Sequence, residues 1–230
     1  MIETIITEWK STRVDKIELA SLYSRNPKVH KWKAPFRSLV IRELVYWRLI
    51  DLLEQSLELS KLNYVLGARI LLRSAFETVG ILIFLNSKIK SLVSGNLQYD
   101  DFENATLRLM LGTKREEKEI LPYNILSIID GCEKQYPGFT KVYADLSETA
   151  HPNYDGMMLG YSEFDQKNYI TYFESHWEKI YGEDFNELLM ICIKTFEVEY
   201  NDVWPDLFER LEKWLEENDE SLEAQRSIST

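Results

Sequence analysis

The sequence predicts an all-α, single-domain helical bundle built around two long central helices, with one short irregular insert near 153–173 that can form a β-hairpin. Three observations carry this. Apolar residues recur at helical spacing along most of the 230 residues. One stretch is apolar nearly all round, as the buried centre of a bundle must be. At 45% hydrophobic and 13% aromatic, the chain is far too apolar for a disordered acidic polymer and can fill a core. The bundle is expected over 1–218, with 1–35 a basic, aromatic N-terminal segment and 219–230 a disordered tail.

Taken in order, Pro35 suits the first turn of a long helix. From Phe36 to about Leu62, Leu39, Val40, Leu44, Trp47, Ile50, Leu53 and Leu57 form the apolar stripe, with Arg42, Asp51, Glu54 and Glu58 opposite. The second long helix, roughly Tyr64 to Ser87, is the apolar one. Ser94-Gly95-Asn96 breaks the pattern. Asp100 or Asp101 then caps a shorter helix ending near Gly112, where glycine supplies a left-handed terminal residue. Lys114 to Glu119 reads as a solvated turn or helix end.

Pro122 to Gln135 predicts an amphipathic helix with Ile125, Ile128, Ile129 and Cys132 inward, closed by Pro137-Gly138. Phe139 to Ala150 predicts another, stopping near His151 because Pro152 disfavours the α conformation before it. Asn153 to Phe173 is irregular and aromatic, and Tyr169 to Phe173 is strand-like. Helices over Glu183–Val203 and Pro205–Asn218 complete the fold.

The formal net charge is −11, which argues against a uniformly basic nucleic-acid binder. It is uneven. Residues 1–50 hold ten basic and five acidic side chains, whereas residues 151–230 hold six basic and nineteen acidic. Opposite ends are therefore expected to pair, within one molecule or between two. Two cysteines, Cys132 and Cys192, exclude a disulfide framework and suit a reducing cytosol. The N-terminus lacks the basic start and apolar run of a signal peptide, and the longest apolar run, Val79 to Leu85, is too short to span a bilayer. A cytoplasmic chain with no membrane contact is expected.

Two constellations carry chemistry. Arg69, Arg73 and Glu77 lie four residues apart on the most apolar helix, on one stripe that drifts about 40° per step. Such cations either line a wet cleft or are neutralised by carboxylates: Arg73 by Glu77, and Arg69 by an acid on a neighbouring helix. The second is His151-Pro152-Asn153-Tyr154. There an imidazole, an amide and a phenol occupy a stiff helix exit, as a pocket wall or as a C-cap. No cofactor motif occurs. Glu148-x-x-His151 lacks the companion pair that a di-iron bundle needs, and no zinc spacing is present, so no metal is expected. Lys28, His30, Lys31, Trp32, Lys33, Phe36 and Arg37 interleave cations with aromatics. That composition either binds single strands or packs on an acidic surface.

The Arg-x-x-x-Arg-x-x-x-Glu stripe, followed by a helix ending in Ser-x-x-x-His-Pro-Asn, resembles the HEPN superfamily of prokaryotic helical proteins found in toxin–antitoxin and phage-defence settings. The resemblance covers roughly Phe36 to Tyr200. It implies a homodimer with a shared cleft and, in active members, a metal-independent ribonuclease with Arg-x(4–6)-His on one helix. The helix of His151 carries no such Arg, so Arg69 or Arg73 would have to supply the cation. His151 would then exchange the proton, the Arg would stabilise the phosphorane and Glu77 would orient Arg73. Asn153 and Tyr154 would bind. Two further readings stand beside it: a non-catalytic dimerisation or protein-partner module, and a small anionic ligand held by Arg69 and Arg73.

Overall fold

The computed structural model describes residues 1–115 and 119–228. Glu116, Glu117 and Lys118, which fall in the predicted solvated turn, and Ser229 and Thr230 of the predicted tail lie outside the described residues.

Eleven α-helices and one hairpin make up the described chain, in keeping with the all-α expectation. In order they are α1 (Ile2–Thr12), α2 (Leu19–Arg25), α3 (Pro27–His30), α4 (Lys33–Lys61), α5 (Val65–Val93), α6 (Tyr99–Leu111), α7 (Ile125–Cys132) and α8 (Phe139–Ala150). A π-helical turn, Tyr154–Leu159, leads into β1 (Ser162–Asp165) and β2 (Ile170–Phe173). Then come α9 (Trp177–Tyr181), α10 (Phe185–Glu197), a second π-helical turn over Val198–Val203, and α11 (Trp204–Ile228). No helix among the described residues is long and apolar enough to cross a membrane.

Several elements differ from the sequence expectation. The basic, aromatic N-terminal segment, to which the sequence assigned no helix before Pro35, carries three short helices. Pro27 occupies the first turn of α3, and Asn26 caps it by accepting from the Val29 N–H at 3.3 Å. α5 runs six residues past Ser87, because Ile89 and Leu92 are buried and continue its stripe. Gly112 follows α6 in an extended conformation, φ −63° and ψ 128°, not a left-handed one. Glycine is needed there for space: a Cβ would lie 2.4 Å from the Arg108 carbonyl and 2.7 Å from Pro122 Cα. The predicted tail is helical to Ile228, with Leu222 and Asp219 buried. Its charged composition concealed a genuine inward stripe.

The chain divides into two compact units, each assembled from three separated segments. The first comprises Met1–Thr12, Tyr46–Gly80 and Ile129–Thr195. Leu49, Leu53, Leu72, Phe76, Phe185 and Leu189 fill its core. Phe76 of α5 meets Phe139 at the start of α8 edge-on at 5.3 Å, which seats α8 on α5. Trp9 of α1 meets Tyr46 in the same manner at 5.8 Å.

The second unit comprises Arg13–Val45, Ile81–Ile128 and Phe196–Thr230. Leu85, Ile89, Phe102, Phe196, Leu211 and Leu215 are its core. Tyr99 packs against Trp32 at 5.2 Å and stacks on Trp214 at 6.2 Å. Here the predicted pairing of opposite ends occurs within the chain. Arg25 and His30 meet Glu212, Asn26 meets Glu216, and Lys31 bridges Asp219 and Glu223. The Trp32 indole donates to Asp219 at 2.9 Å. Glu199 is fully buried at the second π-helical turn, where the Asn86 amide donates to its carboxylate at 2.6 Å.

Candidate functional site

α8 is amphipathic, and its inward stripe carries Phe139, Tyr143, Leu146 and Thr149. Laid antiparallel on α5, it sets polar residues of the two helices rung against rung. At one end Glu77 accepts from the Tyr143 hydroxyl at 2.8 Å. Arg73 follows, donating to the Tyr143 oxygen and to Ser147 Oγ, both at 2.9 Å, with its guanidinium 3.4 Å from Glu77. Arg69 comes last. It donates to Thr149 Oγ1 at 3.1 Å, pairs with Asp145 and lies over the Tyr181 ring at 4.3 Å.

The electrostatics follow from burial. Arg69 is 2% exposed, and its desolvation is offset by the carboxylate, the hydroxyl and the aromatic face. Burial pushes the Tyr143 phenol above its ordinary range, and the adjacent Glu77 carboxylate pushes the same way. The Tyr181 phenol is also raised, first by burial and then by Asp155. The ladder of carboxylates predicted for Arg69 and Arg73 is therefore present, with Asp145 as the acid of the neighbouring helix. Tyr143, Asp145, Ser147 and Thr149 complete it. Their spacing on α8 was visible, but which helix they would face was not.

The second constellation stays apart from these bonds. His151 caps α8 through its backbone N–H, which reaches the Ser147 and Glu148 carbonyls at 3.2 and 3.3 Å. Its backbone is extended, φ −85° and ψ 147°, as a residue before proline must be. The ring is exposed and makes no hydrogen bond among the described residues. The Asn153 amide is used structurally: it accepts from the Gly156 N–H at 3.0 Å and donates to Glu148. Gly156 has no alternative, since a Cβ would sit 1.9 Å from the His151 carbonyl. Tyr154 opens the π-helical turn and is 64% exposed.

Beyond that turn lies the hairpin. β1 and β2 are antiparallel, with Ser162 opposite Phe173 and Asp165 opposite Ile170. Asp165 holds the turn by accepting from the Lys167 and Asn168 N–H groups at 2.9 and 3.1 Å. The Asn168 hydrogen bonds keep the Asp165 carboxyl below the usual carboxylate range. Tyr169 takes a left-handed conformation, φ 54°, to close the loop. All four residues of β2 are exposed. Met157, Phe164 and Tyr169 are exposed as well, and Phe173 is 82% exposed. No family model, curated protein or solved structure matches the chain.

Proposed function

We propose that the protein is a helical interaction module that pairs with a second copy of itself through the open edge of β2. The observation that carries this reading is the fully exposed, charge-free strand Ile170-Thr171-Tyr172-Phe173. A sheet edge offers unpaired backbone N–H and C=O groups to another strand, and natural edges are usually blunted by charge. β1 is blunted in that way by Glu163 and Asp165. β2 is not. In a chain of net charge −11, two copies repel broadly, so a contact between them belongs where both lack charge. Strand β2 paired with its own copy makes a two-fold contact in which each aromatic meets the same surface of the partner.

The test is molar mass by light scattering for the wild type and for Ile170→Lys together with Phe173→Lys. The wild type is expected as a dimer and the doubly charged variant as a monomer with unchanged helical circular dichroism. A monomeric wild type at high micromolar concentration, or a variant that remains dimeric, overturns the proposal.

We propose as a second reading an RNA-directed, HEPN-like site. It is favoured by one observation: Tyr143, Ser147 and His151 follow one another at spacing four, and Arg73 remains about a quarter exposed beside the first two. RNA cleavage by wild type, His151→Ala and Arg73→Ala tests it. Equal rates in all three, or none in the wild type, remove it.

A further inference from the structure

We infer that Glu163, Glu174 and His176 form a divalent-cation site of the zinc class at the base of the hairpin. The hairpin and the segment leaving it place them: Glu163 lies on β1 opposite Tyr172, and Glu174 and His176 stand two and four residues after Tyr172, His176 at the N-cap of α9. Two backbone bonds hold the segment that leaves β2: Glu174 N–H donates to the Tyr161 carbonyl at 3.1 Å and His176 N–H to that of Gly160 at 2.9 Å. One ligand atom from each of the three side chains lies within 4.8 Å of the others. Neither carboxylate pairs with a Lys or Arg among the described residues, so two like charges converge without compensation.

The imidazole is an independent pointer. His176 is only 8% exposed, and its Nε2 is buried without a hydrogen-bond partner. Nδ1 lies 3.6 Å from Glu174 Oε1, too far for a hydrogen bond. A buried imidazole with an unsatisfied ring nitrogen thus lies beside two carboxylates that no Lys or Arg neutralises among the described residues.

The donor set chooses the ion. One imidazole nitrogen with two carboxylates suits zinc and its first-row neighbours, whereas calcium and magnesium prefer oxygen alone. Bonds of about 2.0–2.2 Å require the three ligand atoms to close somewhat, which two exposed glutamates can do by rotation. The fourth position is left for water. Structurally, the ion ties β1 to the chain leaving β2 and to the residue before α9. A two-stranded hairpin is marginal alone, and this cross-link fastens its base. The site does not depend on pairing between copies.

The untagged full-length chain is titrated with zinc chloride by calorimetry, and with cobalt chloride by visible absorption. One equivalent of zinc is expected to bind, and cobalt is expected to give d–d bands of a low-coordinate site. Glu163→Gln and Glu174→Gln, both at exposed positions, should each weaken binding at least tenfold, while Glu209→Gln should bind like the wild type. His176→Gln should abolish the cobalt bands. Absence of a stoichiometric event, or equal affinity in all the glutamine variants, overturns the inference. Because the glutamates are exposed, their two variants decide the matter even if His176→Gln fails to fold.

Discussion

Segment 26–32 and the hairpin 162–173 are both short, polar-aromatic and far from the long helices in composition, yet their fates differ. The first delivers cations and an indole to α11, where Glu212, Asp219 and Glu223 receive them. Its Trp32 is 2% exposed. The second holds its aromatics in the open, with Tyr169 84% and Phe173 82% exposed. The difference is complementarity inside the chain. An aromatic beside a cation is buried when the acids that satisfy the cation lie on the same unit; the hairpin, itself acidic on β1, meets no such partner among the described residues. Satisfied segments stabilise the fold, and open ones do not.

The largest test of that contrast is truncation. Trp32→Ala should cost about 3–5 kcal/mol in denaturant unfolding, whereas Phe173→Ala should change monomer stability by no more than about 0.5 kcal/mol. Comparable losses would erase the distinction. Next in size, Asp219→Ala strands the buried Trp32 indole N–H, a loss of about 1–3 kcal/mol in the same measurement. A neutral result would mean that the indole bond is dispensable.

Acid should also separate the regions. Burial holds the His30 imidazole below its ordinary value of 6.5, and Arg25 adds to this, although Glu212 pulls the other way. Below that value the unfolded chain takes up a proton that the folded chain refuses. The stability contribution is therefore full above pH 6.5 and is lost as pH falls toward the folded-state pKa. Melting temperature followed between about pH 7 and 5 should fall more for the wild type than for His30→Gln. Parallel curves would show that His30 contributes nothing to the acid response.

Salt is the smallest lever. Half-exposed pairs such as Arg25–Glu212 and Arg226–Glu103 contribute only about 0.2–1 kcal/mol each, and screening should trim them. Hairpin-mediated pairing should hold or tighten in salt. Dissociation on adding salt would instead point to a charged contact between copies.

Much of the fold was legible because its rules are local. The apolar period marked α4 and α5, and Phe139 to Ala150 was bounded correctly by Pro137-Gly138 and Pro152. Arg69, Arg73 and Glu77 were visible as charges on a helix that wants burial. The pairing of Arg73 with Glu77 was visible with them, but their α8 partners were not, since Tyr143, Asp145, Ser147 and Thr149 lie some 70 to 80 residues away. His176 was hidden for a different reason: its companions stand at strand spacing, in a chain read almost throughout at helical spacing.

By itself, then, the amino-acid order determined where helices run, which stripes turn inward and where a hairpin interrupts them, because backbone sterics and hydrophobic period act over a few residues. Tertiary structure alone decided which charges met across distant segments. The N-terminal segment and α11 are joined across separations of 187 and 192 residues. α5 and α8 meet in an antiparallel register that side-chain packing selects. Such pairings depend on how helices stack, and no local period encodes that.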